Sequence, residues 1–112
     1  MNLTVIELDG VTALVLPGRT LDANNAPEFS EAFLPWLQPG ANLILDMRNV
    51  EFVDSTGLGV LVSCWKKAHG SQSEIKLSNL TKQVQALFEL GRMHRVFEIF
   101  DSPEEAAQSY SS

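Results

Sequence analysis

The segment Asn49-Val-Glu-Phe-Val-Asp-Ser-Thr-Gly-Leu-Gly-Val-Leu61 concentrates the residue types able to do chemistry. It places two hydroxyls, Ser55 and Thr56, between a short extended stretch and an apolar run of helical character. At such a junction the free N–H groups of the first helical turn meet the positive end of the dipole, a combination that accepts a phosphate. Gly57 and Gly59 take side-chain bulk out of the same turn, so another backbone or another protein can approach closely. Ser55 also suits a plain helix cap, and the two roles are compatible, because a capping hydroxyl can be a phosphorylation target. Asp54 suits organising the loop or capping the helix.

Other chemistries fail on spacing. A phosphate-cradling P-loop needs a Lys that does not follow Gly59, and a dinucleotide fingerprint needs a third glycine where Val62 stands. An acid protease needs Asp-Ser/Thr-Gly, whereas two residues separate Asp54 from Gly57. The GxSxG nucleophile elbow is absent. No base, metal set or oxyanion arrangement accompanies Ser55, so it reads as a substrate residue for another enzyme, and no catalytic residue or cofactor is expected. Asp46 and Asp54 bracket the central apolar strand and could pose as a carboxylate pair. His69 and His94 are isolated, without Cys or carboxylate at ligand spacing, so surface or helix-end roles are expected and no metal site. Cys64 reads as a small core hydrophobe, and Trp36 and Trp65 as packing residues.

The elements that must position these residues follow from periodicity and punctuation. Leu3–Leu8 and Val11–Leu16 flank Asp9-Gly10, a hairpin turn signal, so the chain opens with an antiparallel ribbon. Leu21 to Asn25 is an Asx-rich loop, and from Ala26 the spacing of Phe29, Phe33, Leu34 and Leu37 predicts a helix that Pro35 kinks or shortens. Leu43–Met47 is a continuous apolar strand, covered on both faces and hence internal. Val50–Val53 is a short extended piece. A helix follows to about Ala68, with Leu58, Leu61, Val62 and Trp65 on its buried side and Gly70 as its stop. Glu74–Ser78 is a strand of modest strength, Leu80 opens a third helix ending at Leu90-Gly91, and Val96–Phe100 is the last strand. Ser102-Pro103-Glu104-Glu105 starts a fourth helix, with a loose tail from Gln108 to Ser112. The expectation is an α/β fold: one mixed sheet of about five strands, a ribbon followed by βα units, with about four helices packed on it.

Composition sets the class. With 112 residues, 45% apolar and 20% charged, the chain can bury a core as one domain over 1–112. Fourteen acidic residues against eight basic ones, net −6, disfavour direct nucleic-acid binding, which needs clustered cations. One cysteine excludes an intrachain disulfide and a multi-cysteine cage, and suits a reducing compartment. The longest apolar run, Leu58–Trp65, is far short of the roughly 18 residues that span a bilayer. No basic stretch followed by an apolar run stands near Met1, so no signal peptide is expected. A soluble cytoplasmic protein is expected.

Asp54-Ser55-Thr56-Gly57-Leu58-Gly59-Val60-Leu61 after an extended stretch resembles the signature of STAS domains, and more narrowly of stand-alone bacterial anti-sigma factor antagonists. The likeness extends to Gly18 with Leu21-Asp22, to Ala26-Pro-Glu-Phe29, to Leu43-Ile-Leu-Asp46, and to Arg95-Val-Phe97 with Asp101-Ser102 and Glu104-Glu105. One residue more than the family's usual spacing lies between Gly18 and Leu21, and Gly91-Arg92 stands in place of a usual Thr-Gly. The resemblance implies a partner switch. The unphosphorylated form would capture an anti-sigma factor that is also a GHKL-type serine kinase, freeing the sigma factor. Phosphorylation of the hydroxyl after the Asp, here Ser55 with Thr56 as fallback, would end binding, and a PP2C-type phosphatase would restore it. The partner-binding residues carried over are Asp22, Asp54, Ser55, Thr56, Gly57, Leu58 and Gly59. Two alternatives stay open: a STAS subunit docking constitutively in a transporter or signalling assembly, and a nucleotide-binding protein using the Ser55 helix terminus.

Overall fold

A computed structural model describes residues 1–111; Ser112, the end of the expected tail, lies outside the described residues. Asp9 (φ 52°) and Gly10 (φ 83°) both take the left-handed conformations that a two-residue hairpin turn requires, which is why Asp-Gly stands there. They join β1 (Thr4–Leu8) to β2 (Val11–Val15), paired antiparallel. After β2 come β3 (Thr20–Leu21), α1 (Ala26–Phe33), β4 (Asn42–Asp46), β5 (Phe52–Val53) and α2 (Ser55–Gly70). The chain closes with β6 (Glu74–Ser78), α3 (Lys82–Leu90), β7 (Ile99–Phe100) and α4 (Pro103–Ser111). The main sheet has five strands in the order β1-β2-β4-β6-β7, antiparallel at the first pair and parallel thereafter, and β3 pairs with β5 in a separate two-stranded sheet. The expected class holds, with β4 at the centre.

Strand alternation divides the core in two. Leu14 and Leu16, Leu43 and Leu45, and Ile75 and Leu77 face a large apolar layer with Phe29 and Phe33 of α1, Leu61, Cys64 and Ala68 of α2, and Val84 and Phe88 of α3. Val11, Ala13 and Ile44 face the other way, against Ala106 of α4. Lys76 also points there; its Nζ donates to Ser109 Oγ at 2.7 Å, pairs with Glu98 at 3.2 Å and sits 4.1 Å from the Tyr110 ring centroid. The Tyr110 hydroxyl donates to Leu43 O at 2.7 Å. These contacts hold the residues expected as a loose tail in helical form through Ser111.

Several boundaries shift for local reasons. Pro35 ends α1 at Phe33 and starts a single 3₁₀ turn, Leu34–Trp36. α2 runs to Gly70, so Gly70 is inside the helix, not its stop, and the buried stripe is Gly57, Leu61, Cys64 and Ala68. Leu58, Val62 and Trp65 are only half-buried. Thr81 caps α3, whose first residue is therefore Lys82, not Leu80. Val96–Phe100 is extended only at Ile99–Phe100, because a 3₁₀ turn at Met93–Arg95 occupies the approach.

The sheet end nearest the candidate site is tied by one buried carboxylate. Asp46, at the end of β4, accepts from Arg48 Nε (2.9 Å) and Nη2 (3.1 Å), from Ser78 Oγ (3.0 Å) and from Asn79 Nδ2 (2.9 Å). Burial alone pushes its pKa up, but the bonds from Arg48, Asn79 and Ser78 together outweigh this and hold it below its ordinary value. A carboxylate depressed in this way stabilises the fold fully above its unfolded pKa of about 4 and loses that contribution as pH falls through the folded value. Asp46→Asn should therefore cost about 1.5–3 kcal/mol at pH 7. The gap between wild type and variant, read from urea unfolding at several pH values, should narrow as pH drops below about 4.

Arg92, like Gln72 (φ 59°), carries a long side chain on left-handed backbone. It holds φ 57° while Gly91, one position earlier, does not need its freedom, at φ −86°. The left-handed conformation costs a side-chain-bearing residue roughly 1–2 kcal/mol, partly offset in glycine by chain entropy. Arg92→Gly should raise unfolding stability by about 0.5–1 kcal/mol in the same assay.

Candidate functional site

The site is built where β5 runs into α2. Asp54, in extended conformation, caps the helix: its Oδ1 accepts the Gly57 N–H at 2.8 Å, and its backbone carbonyl accepts the Leu58 N–H at 2.9 Å. Its second oxygen, Oδ2, accepts the Ala23 N–H at 3.1 Å, and its own N–H donates to Leu21 O at 3.2 Å. One aspartate thus holds both the head of α2 and the loop after β3. The cap is Asp54, not Ser55, which occupies the first helical position with its side chain exposed, as does Thr56 at the second.

The neighbouring loop is braced by its own Asx chemistry. Asp22 Oδ1 accepts the Asn24 N–H at 2.9 Å, Asn25 Oδ1 accepts the Asp22 N–H at 2.9 Å, and Asn25 Nδ2 donates to Thr20 O at 2.7 Å. Thr20 pairs with Phe52 and Leu21 with Val53, in parallel register. Arg19 O receives the N–H groups of both Glu51 (2.7 Å) and Phe52 (3.2 Å). The Arg19 guanidinium also bonds Glu51 at 2.6 Å, first by hydrogen bond and then by charge holding that carboxyl below its ordinary value. From below, Thr81 Oγ1 donates to Val50 O at 3.0 Å and Asn49 Nδ2 to Leu16 O at 3.1 Å.

The two glycines separate in role. A Cβ on Gly57 would collide with the Leu21 carbonyl oxygen and lie 2.8 Å from Val53 Cγ1, so the backbone that approaches Gly57 is the chain's own. A Cβ on Gly59 would meet nothing within 4 Å, which leaves that side of the helix open to another molecule.

Of the residues expected at the site, Asp22, Asp54, Ser55, Thr56, Gly57, Leu58 and Gly59 lie along one strand-to-helix edge. Asp22 and Asp54 are linked through the loop bond at Ala23, Leu58 is half-buried, and Ser55, Thr56 and Gly59 are exposed. Asp46 is not paired with Asp54; each carboxylate is engaged with its own donors. His69 lies against the Trp65 ring, 4.4 Å between centroids, near the other end of α2. The buried Cys64 thiol is pushed up to about 11 by burial, which leaves it inert at neutral pH. A groove of about 1030 Å³ runs between α3 and β7, but none of Asp54–Gly59 lines it. Sequence reasoning missed the exposed Phe52 and the Arg19–Glu51 pair. The sequence carried no clear signal for the ring, since Phe52 and Val53 are adjacent apolar residues and only the fold shows that Val53 is the one turned inward.

Residues 2–106 match the family described as the STAS domain. The Bacillus subtilis (strain 168) anti-sigma-B factor antagonist is 31% identical over 88 residues, covering 79% of this chain and 81% of the relative. Among solved structures, an anti-sigma-factor antagonist (STAS) domain protein of Planctomyces limnophilus superposes with TM-score 0.87 at 20% identity, covering 98% of each chain. The murine Solute Carrier 26 family member A9 anion transporter superposes with TM-score 0.78 at 24% identity, over 92% of this chain and 18% of the transporter. These last two show the shared fold.

The geometry sets opposite outcomes for two like substitutions. Gly57→Ala should cost at least about 2 kcal/mol, because the obstacle is backbone and cannot yield as a side-chain tip would. Gly59→Ala, on an open helical position, should be neutral or stabilising by up to about 1 kcal/mol. Thermal unfolding of the two variants beside wild type checks both.

Proposed function

The chain belongs to the STAS domain family, and from that premise we propose that it is an anti-sigma factor antagonist whose binding is governed by phosphorylation of Ser55. In this reading the unphosphorylated chain captures an anti-sigma factor that is also a serine kinase of the GHKL type, and a PP2C-type phosphatase reverses the modification. The chain acts as a regulator and the kinase supplies the chemistry. The observation that carries the reading is the mount of Ser55. The hydroxyl stands exposed directly after the capping Asp54, on a helix head that Gly57 and the Leu21 loop hold in place. The printed name of the Bacillus subtilis relative supports the same role. The transporter reading draws only on fold likeness, and an exposed hydroxyl at position 55 counts against constitutive docking.

The switch follows from local electrostatics. A phosphate on Ser55 adds roughly −1.5 to −2 charges at pH 7. The helix head favours that charge by about 0.3–1 kcal/mol, and Asp54 beside it opposes by a comparable amount, so the fold should hardly respond. A partner that must desolvate the same position meets the charge at contact distance, where a misplaced like charge costs several kcal/mol. With 1.4 kcal/mol per decade, affinity should fall at least a hundredfold.

Incubation with the cognate anti-sigma factor kinase and ATP should add one phosphate, mapped by peptide mass spectrometry to Ser55. Phosphate confined to Thr56, or to Ser109, Ser111 and Ser112, overturns the assignment. Paired calorimetry should find the melting temperature within a few degrees and the partner affinity sharply reduced. A large loss of stability with unchanged affinity would show that the switch works by another route.

A further inference from the structure

Phe52 is the one phenylalanine that the fold turns outward. Of the six in the chain, Phe29, Phe33, Phe88 and Phe97 are no more than 3% exposed and Phe100 is half-buried, whereas Phe52 is 49% exposed. Its orientation is dictated by register. Val53 is buried at 2% in the main core, and alternation along β5 must then send Phe52 to the opposite side. Turning the ring inward would draw Val53 out into water. The strand cannot slip to allow this, because the Glu51, Phe52 and Asp54 N–H groups are all bonded to the backbone of Arg19 and Leu21. The ring is held out by its backbone, with little freedom left to lose when something covers it.

Its position is as telling as its exposure. Phe52 is three residues before Ser55, so the two backbones are within about 10 Å of one another. A standard interface buries about 800 Å² on each partner, a disc of roughly 16 Å radius. A partner centred on Ser55 therefore reaches Phe52. Its segment is acidic, with Glu51 directly before the ring and Asp54 two residues after it, and Glu51 engages the Arg19 guanidinium. An apolar ring on an acidic segment matches an apolar pocket bordered by basic groups.

We propose that Phe52 is the apolar anchor by which the anti-sigma factor recognises this chain, entering a base-rimmed pocket on the partner. Ser55 then decides whether binding occurs, and Phe52 supplies much of the affinity in the unphosphorylated state. The inference rests on the function proposed above and adds the residue that selects the partner. Aromatic side chains in the centre of an interface are enriched among those whose truncation costs most, while most surrounding contacts are nearly neutral.

The test measures affinity for the Bacillus subtilis anti-sigma-B factor, the type of protein that the 31% identical relative is named for opposing. The chains are wild type, Phe52→Ala, Phe52→Tyr, Ser55→Asp and Leu90→Ala, the last truncating a leucine that is 83% exposed at the end of α3. Expected are a loss of at least about thirtyfold for Phe52→Ala, no more than about threefold for Phe52→Tyr, and none for Leu90→Ala, with melting temperatures unmoved. Binding by Phe52→Ala equal to wild type, while Ser55→Asp fails, overturns the anchor and leaves the proposed function standing. A fall in melting temperature that accounts for the Phe52→Ala loss assigns the ring a structural role and overturns the anchor as well. Failure of wild type itself to bind overturns the proposed function and the anchor with it.

Discussion

Everything at the candidate site depends on the contact between the α-hydrogens of Gly57 and the carbonyl of Leu21. Only a residue without a side chain lets the first turn of α2 lie against the backbone of β3. That proximity brings Ala23 within reach of Asp54, so a single carboxylate can cap the helix with one oxygen and hold the loop with the other. A longer separation would leave Asp54 as an ordinary cap and the Asp22 loop free to wander. The hydroxyl of Ser55 is thus presented by a mount with almost no moving parts, although it makes none of the bonds that hold it.

The mount is in turn fastened to the sheet through polar groups, whereas α1, α2 and α3 are held to the sheet by apolar ones. Asp46 gathers Arg48, Ser78 and Asn79 at the ends of β4 and β6, and Thr81 and Asn49 pin the chain that leads from there to β5. Directional bonds fix a loop in space in a way that non-directional burial does not. The division suits the proposed role, in which another protein recognises this surface. Apolar packing supplies the stability, and hydrogen bonds to backbone supply the position.

Much of this was legible in the residues. Asp9-Gly10 announced its hairpin, the apolar run Leu43–Met47 announced the central strand, and the clustering of Ser55, Thr56, Gly57 and Gly59 marked the candidate site. What was not legible depended on contacts between segments far apart in sequence. Nothing local distinguishes Gly57 from Gly59, since the difference is the Leu21 backbone 36 positions away, and only the folded chain brings it there. The choice of Asp54 over Ser55 as the cap turns on one residue of helix phase, a resolution that periodicity does not reach. The tail to Ser111 looked loose because its own sequence is weakly apolar. Its order comes from Lys76 and Leu43 on strands, partners that the tail alone cannot reveal.

A braced mount also fits the proposed reading, in which one protein is both stable and switchable. A device that changes shape must keep two packings close in energy, whereas the bonds around Asp54 and the close approach at Gly57 tie the helix head and the loop into one arrangement. A device that changes only its surface charge needs no such balance, because the two states share every internal contact. The free-energy difference between them then appears almost wholly in the complex, where desolvation strengthens it, and hardly at all in the isolated chain, where water screens it. The exposure of Ser55 and the absence of a hydrogen-bond partner for its hydroxyl among the described residues then belong together with the bracing beneath it. In the proposed reading, the hydroxyl can report its modification to a partner because the fold beneath it does not depend on that hydroxyl.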